Sequence, residues 1–200
     1  MNIGILVFDE MELLDMAGPY EVFTTAARVQ GRSQPAGTAP LFKVVTIASA
    51  TAAVRARAGL RVQPDFTLHD HPPLHCALVP GGVVDAELQR QEVLSWIAAQ
   101  HRRAPIVASV CTGALLLAAA GVLDGLAATT HWEDLDALRT LRPAVAVRDG
   151  VRWVDEGLVV TSAGISAGMD MSLHLVRRLQ GHELAARTAR QMDYDWNDTP

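Results

Sequence analysis

Along the chain, short and nearly continuous apolar runs alternate with longer segments whose apolar residues recur at helical spacing. The first run covers residues 2–8, and residues 42–48, 76–79 and 106–110 repeat the pattern. Strands that are apolar at every position, not at every second one, belong to a parallel sheet covered on both faces. Residues 20–29 predict a helix that Pro19 opens as a first-turn residue, after the break at Gly18-Pro19. Residues 85–101 carry Leu88, Val93, Leu94, Ile97 and Ala98 at helical spacing, and the alanine- and leucine-rich residues 114–120 form a helix closed by Gly121. Alternation around Gly59 predicts a short exposed hairpin over residues 54–62. Later come a helix over 132–141, strands over 145–147, 151–154 and 158–162, and helices over 169–179 and 183–192. The alternation predicts an α/β fold, one domain over residues 1–200 with a mostly parallel central sheet.

Half of the residues are apolar, enough for a sizeable core. A net charge of −5 gives no electrostatic footprint for nucleic acid, and the scattered positive charge is almost all arginine, with Lys43 the only lysine. Cys76 and Cys111 fall on different predicted strands and make no disulfide framework, so a cytoplasmic protein is expected. The first apolar run has no basic region before it, and no run reaches membrane-spanning length, which predicts neither signal peptide nor membrane contact. His69, His71 and His75 lie in a proline-broken loop without a completing Cys or Glu, so neither metal nor other cofactor is expected.

Candidate chemistry gathers at one sheet edge. Cys111 stands between the run over 106–110 and the helix over 114–120. A strand-to-helix junction holds a side chain out at the carboxyl edge of a parallel sheet, and the unpaired N–H groups of the helix start favour a thiolate there. Asp15 lies just beyond the first strand, and Pro80-Gly81-Gly82 ends the third. Ligands of open parallel sheets bind outside these strand ends, so Cys111 becomes a candidate nucleophile for a small-molecule substrate.

Leu14-Asp15-Met16-Ala17-Gly18-Pro19, Pro80-Gly81-Gly82, Ser109-Val110-Cys111-Thr112-Gly113, Gly121-Val122-Leu123-Asp124-Gly125 and Ala128-Thr129-Thr130-His131-Trp132 carry a resemblance in this order and spacing. Together they resemble the ThiJ/PfpI superfamily over nearly the whole chain, and look most like its isonitrile hydratase branch and the ligand domains of AraC-type regulators. The resemblance implies a flavodoxin-like three-layer sandwich with a nucleophile elbow, and a homodimer. It implies Cys111 as nucleophile, Asp15 as the acid hydrogen-bonded to it, and the N–H groups of Gly82 and Thr112 as an anion-stabilising hole. Ser109 stands where related enzymes often have Gly, which leaves the elbow's strain open. An ionised Asp15 would oppose a thiolate, so the two residues must share one proton.

The implied activity is hydration of an isonitrile to an N-substituted formamide, with Asp15 acting as acid and then as base. His131 is assigned a structural role in this branch. Two alternatives stand beside it. One is a ligand- or oxidation-sensing domain without turnover, in which a DNA-binding helix-turn-helix finds no room before the chain stops. The other is a glyoxalase or deglycase acting on α-oxoaldehydes, which would make His131 a second base.

Overall fold

The computed structural model describes residues 1–200. The first half of the chain forms β1 (Asn2–Leu6), α1 (Leu13–Gly31), β2 (Lys43–Ala48), β3 (Val54–Arg55), β4 (Arg61–Val62), β5 (Phe66–Thr67) and β6 (Cys76–Val79). Then come α2 (Asp85–Leu88), α3 (Gln91–Arg103), β7 (Ile106–Val110), α4 (Gly113–Ala119), β8 (Ala127–Ala128) and α5 (Leu135–Leu141). The last elements are β9 (Ala146–Val147), β10 (Trp153–Asp155), β11 (Val159–Ser162), α6 (Ala167–Gln180) and α7 (His182–Gln191).

Seven strands make one sheet in the order β10-β11-β7-β6-β1-β2-β5, and only β10 runs antiparallel to its neighbour. The run β2-β1-β6-β7-β11 is the strand order of flavodoxin-like folds. α1, α6 and α7 pack together on one face and α2 to α5 on the other, giving the three layers. Both covers are needed, because β6 and β7 are buried at every position. A single cluster of 53 buried apolar residues runs through all layers. The chain leaves β1 toward β2 on one side, while β6 lies on the other. The crevice between the ends of β1 and β6 is therefore the topological switch point, where open sheets receive ligands.

The largest departure from the sequence pattern is at α1. The helix begins at Leu13, six residues before the proline expected to open it, so Asp15 sits in its first turn instead of in a loop. Gly18 and Pro19 break the helix in propensity only. Both are buried, and a Cβ at Gly18 would lie 2.8 Å from Met169 Cγ, so this face is shaped to receive α6. Packing of Met16, Val22, Phe23, Ala26 and Val29 offsets the one backbone bond that Pro19 cannot donate. Elsewhere Gln89 and Arg90 interrupt the helix expected over 85–101, dividing it into α2 and α3. The hairpin around Gly59 is present as β3 and β4. The strand expected over 145–147 leaves the main sheet and pairs, as β9, with β8.

Candidate functional site

Cys111 follows β7 with φ +56°, a left-handed conformation that a non-glycine residue adopts only when its surroundings enforce it. Its N–H donates to Ser162 O at 3.1 Å and Ala163 O at 3.3 Å, and its carbonyl accepts the Thr130 hydroxyl at 2.8 Å. These bonds fix the elbow, and the serine at position 109 does not relax it. Close approach of the β6 turn does the rest: a Cβ at Gly81 would stand 2.5 Å from Thr112 N and 2.9 Å from Cys111 Cβ. The glycine is demanded by the elbow itself.

Asp15 reaches the same point from α1 and is 0% exposed. Its Oδ2 accepts the Gly81 N–H at 3.0 Å. Burial, the largest influence, and the nearby charge of Glu12 push its carboxyl up to about 7, against the lowering effect of Gly81, Cys111 and Ile165. The Cys111 thiol faces this carboxyl, yet no donor meets full hydrogen-bond geometry at Oδ1, which leaves that oxygen free to carry a proton.

The helix-start effect expected to favour a thiolate is outweighed. Burial, followed by the charge of Asp15, pushes the Cys111 thiol up to about 12, while the Thr112 and Ile165 N–H groups pull it down. The second cause vanishes when Asp15 holds the proton. The pair therefore titrates as a unit, and one proton is traded between oxygen and sulfur.

One expected feature is placed differently. The Gly82 N–H donates to Thr112 Oγ1 at 2.8 Å, and the same hydroxyl donates to Gly82 O at 2.9 Å, so the Gly82 half of the predicted anion hole is engaged internally. Thr112 N–H faces the sulfur. The Ile165 N–H, in the turn before α6 where φ is +47°, also bears on the sulfur. A backbone N–H leaves no residue-type signal in the sequence.

Cys111 opens into a cavity of about 810 Å³ between α2 and α5, lined also by Gly82, Thr112, Leu115, His131 and Ile165. Asp15 lies behind Cys111, outside the lining. His131 Nδ1 accepts the Glu133 N–H at 3.4 Å as a helix cap, and its ring is wedged against Gly164. His71 Nε2 accepts from Trp96 Nε1 at 2.9 Å and His75 Nδ1 from the Asn2 N–H at 3.0 Å, so these two rings serve separate packing contacts. No helix is long and apolar enough to cross a membrane.

A model of the DJ-1/PfpI family matches residues 1–178. Isonitrile hydratase of Pseudomonas putida is 37% identical over 196 residues, covering 97% of this chain and 78% of that protein. The HTH-type transcriptional regulator GbdR of Pseudomonas aeruginosa is 33% identical over 194 residues, 97% of this chain, which spans 51% of the regulator's length. A ThiJ/PfpI family protein from Pseudomonas syringae superposes with TM-score 0.84 at 30% identity, covering 98% of this chain and 76% of that one. DJ-1beta of Drosophila melanogaster shares the fold with TM-score 0.81 at 18% identity, over 98% of both chains. With its elbow cysteine, its flavodoxin-like strand order and these matches over nearly its full length, the chain belongs to the DJ-1/PfpI family.

Proposed function

We propose that residues 1–200 act as one cytoplasmic domain, paired with a second copy of the chain, that hydrates a small molecule at Cys111. The best-supported substrate is an isonitrile, R–N≡C, and the product an N-substituted formamide. The observation that carries the reading is the buried Asp15 carboxyl, with a pKa of about 7, beside an elbow cysteine that opens into a cavity. The similarity to isonitrile hydratase supports the choice of substrate.

In the reactive form sulfur is a thiolate and Asp15 holds the shared proton. Sulfur bonds to the terminal carbon while Asp15 protonates that carbon, giving R–N=CH–S–Cys111 and an Asp15 carboxylate. The carboxylate then takes a proton from water as its oxygen attacks the same carbon. That proton passes to nitrogen, the C–S bond breaks, and the hydroxyl proton returns to Asp15. The sum is R–N≡C plus water giving R–NH–CHO, with no oxidant and no cofactor. Thr112 and Ile165 N–H groups stabilise the sulfur anion as it forms and leaves.

The test is turnover of cyclohexyl or p-nitrophenyl isocyanide by wild type and by Cys111→Ala, following the formamide. Turnover that vanishes in the variant is expected. No turnover by fully reduced wild type would overturn the reading in favour of a sensing domain, for which the regulator relatives speak. Turnover of methylglyoxal that depends on His131 would favour α-oxoaldehyde chemistry instead.

A further inference from the structure

We propose that Arg152, Asp170 and Tyr194 form a positioning device that holds the Ile165 turn, and with it the N–H that faces the Cys111 sulfur. Ile165 is β-branched and left-handed, a combination that persists only under constraint from both sides. On one side the Ala163 N–H donates to Arg152 O at 2.9 Å and the Ala163 carbonyl accepts the Cys111 N–H at 3.3 Å, which seats the turn on the elbow, and Ile165 lines the same cavity as Cys111. On the other, Ser166 is held twice: its Oγ accepts from Arg152 Nη2 at 3.4 Å, and its carbonyl accepts the Tyr194 hydroxyl at 3.5 Å.

Asp170 joins these pieces. It is buried in the first turn of α6, where its Oδ2 pairs with the Arg152 guanidinium and its Oδ1 accepts the Asn197 N–H at 3.1 Å. Burial raises its carboxyl above the ordinary range, and Arg152 pulls it back. The segment carrying Tyr194 and Asn197 is anchored by Trp196, which packs on the His182 ring at 5.8 Å and beneath the Arg177 guanidinium at 6.0 Å. Arg152 thus fastens the strand-side arm of the turn through its carbonyl and the helix-side arm through its guanidinium, and Asp170 ties in the C-terminal segment. None of the three side chains lines the Cys111 cavity, so they act through Ile165.

The readout is the pH dependence of Cys111 alkylation by iodoacetamide in the full chain. Cys76 is 0% exposed within β6 and takes no part in lining the cavity onto which Cys111 opens, which keeps it silent. The titratable groups bearing on Cys111 are Asp15 from α1 and Asp134 from the turn before α5, with Glu12, Arg57, Asp85, His131, Glu133 and Asp136 in the same cavity, and no variant at Arg152, Asp170 or Tyr194 touches them. Arg152→Gln and Asp170→Asn are expected to slow alkylation at pH 8 by about tenfold, the usual effect of losing one hydrogen bond to a charged atom, and to move its midpoint upward. The double variant should be no slower than either single one. Tyr194→Phe, the mildest change, should move the midpoint the same way by less, with the melting temperature kept. Alkylation profiles that superimpose on wild type in folded Tyr194→Phe and Asp170→Asn would overturn the proposal and reduce the cluster to a stabilising contact. The assay needs no isonitrile, so its failure is separate from failure of the hydratase reading.

Discussion

At the residue scale, the proposed chemistry turns on one buried carboxyl. In the folded chain Asp15 holds its proton up to about 7, against 3.8 for an ordinary aspartate. A carboxyl with a raised folded pKa stabilises the fold fully below the ordinary value and loses that contribution as pH rises through the folded one. The full difference is roughly 4 kcal/mol. Asp15→Asn keeps the shape and the acceptor for Gly81 N–H but never ionises. Its urea-unfolding free energy, measured from pH 4 to pH 9, should gain on wild type as pH rises and level off above about 7. The same variant should lose turnover by about 100-fold or more, since it can neither give nor take a proton. The wild-type rate carries the opposite sign. In the proposed mechanism one shared proton is the reactive state, and below about 7 both groups are protonated. kcat/KM should therefore fall as the solution is acidified through that value, and a rate that rises there would show that the doubly protonated pair is active.

At the scale of elements, the site is made where the β6 turn meets the β7 elbow. Gly81→Ala puts a methyl group against Thr112 backbone, which cannot move without dragging α4. The expected cost is on the order of 2 kcal/mol in urea unfolding, with slower Cys111 alkylation, whereas a stability equal to wild type would show that the elbow yields. Which elements were legible follows from physics. β1, β2, β6 and β7 are buried on both faces beyond their first residues, so their runs are nearly continuously apolar, with Thr46 and Ser109 the buried polar exceptions. The start of α1 was hidden, because Gly18-Pro19 reads as a breaker until Met169 and the sheet are there to pack on it. Cys111 and Asp15 were visible as chemistry-bearing side chains at strand ends. The role of Ile165 was not, since it lends a backbone N–H that every residue but proline has. The engagement of Gly82 N–H by Thr112 depends on a hydroxyl rotamer, which no sequence pattern encodes.

At the scale of the whole molecule, the topology that brings Cys111 to a crevice also decides what charge surrounds it. The α2 side contributes Asp85 and the α5 side Glu133, Asp134 and Asp136, while Glu12 comes from the end of the β1 loop. Against these five carboxylates the cavity offers Arg57, already 3.9 Å from Glu12, and His131, whose Nδ1 is held by its own helix turn. The negative potential reaches the reacting atom, since Asp134 is among the charges that raise the Cys111 thiol. Low-dielectric walls focus such a field, and it acts on approach more than on the chemical step. If isonitriles are the substrates, one bearing an ammonium group should show a kcat/KM about tenfold above that of a carboxylate-bearing isostere at about 10 mM salt. The ratio should fall toward one at about 0.5 M, where screening shortens the field to a few ångströms. Asp85→Asn and Asp136→Asn together should reduce the ratio at low salt and leave turnover of a neutral isonitrile nearly unchanged, because neither group is among the charges that bear on the Cys111 thiol or the Asp15 proton. A ratio independent of salt would mean instead that the two substrates are told apart by contacts inside the cavity, and that the acidic mouth has no part in selecting them.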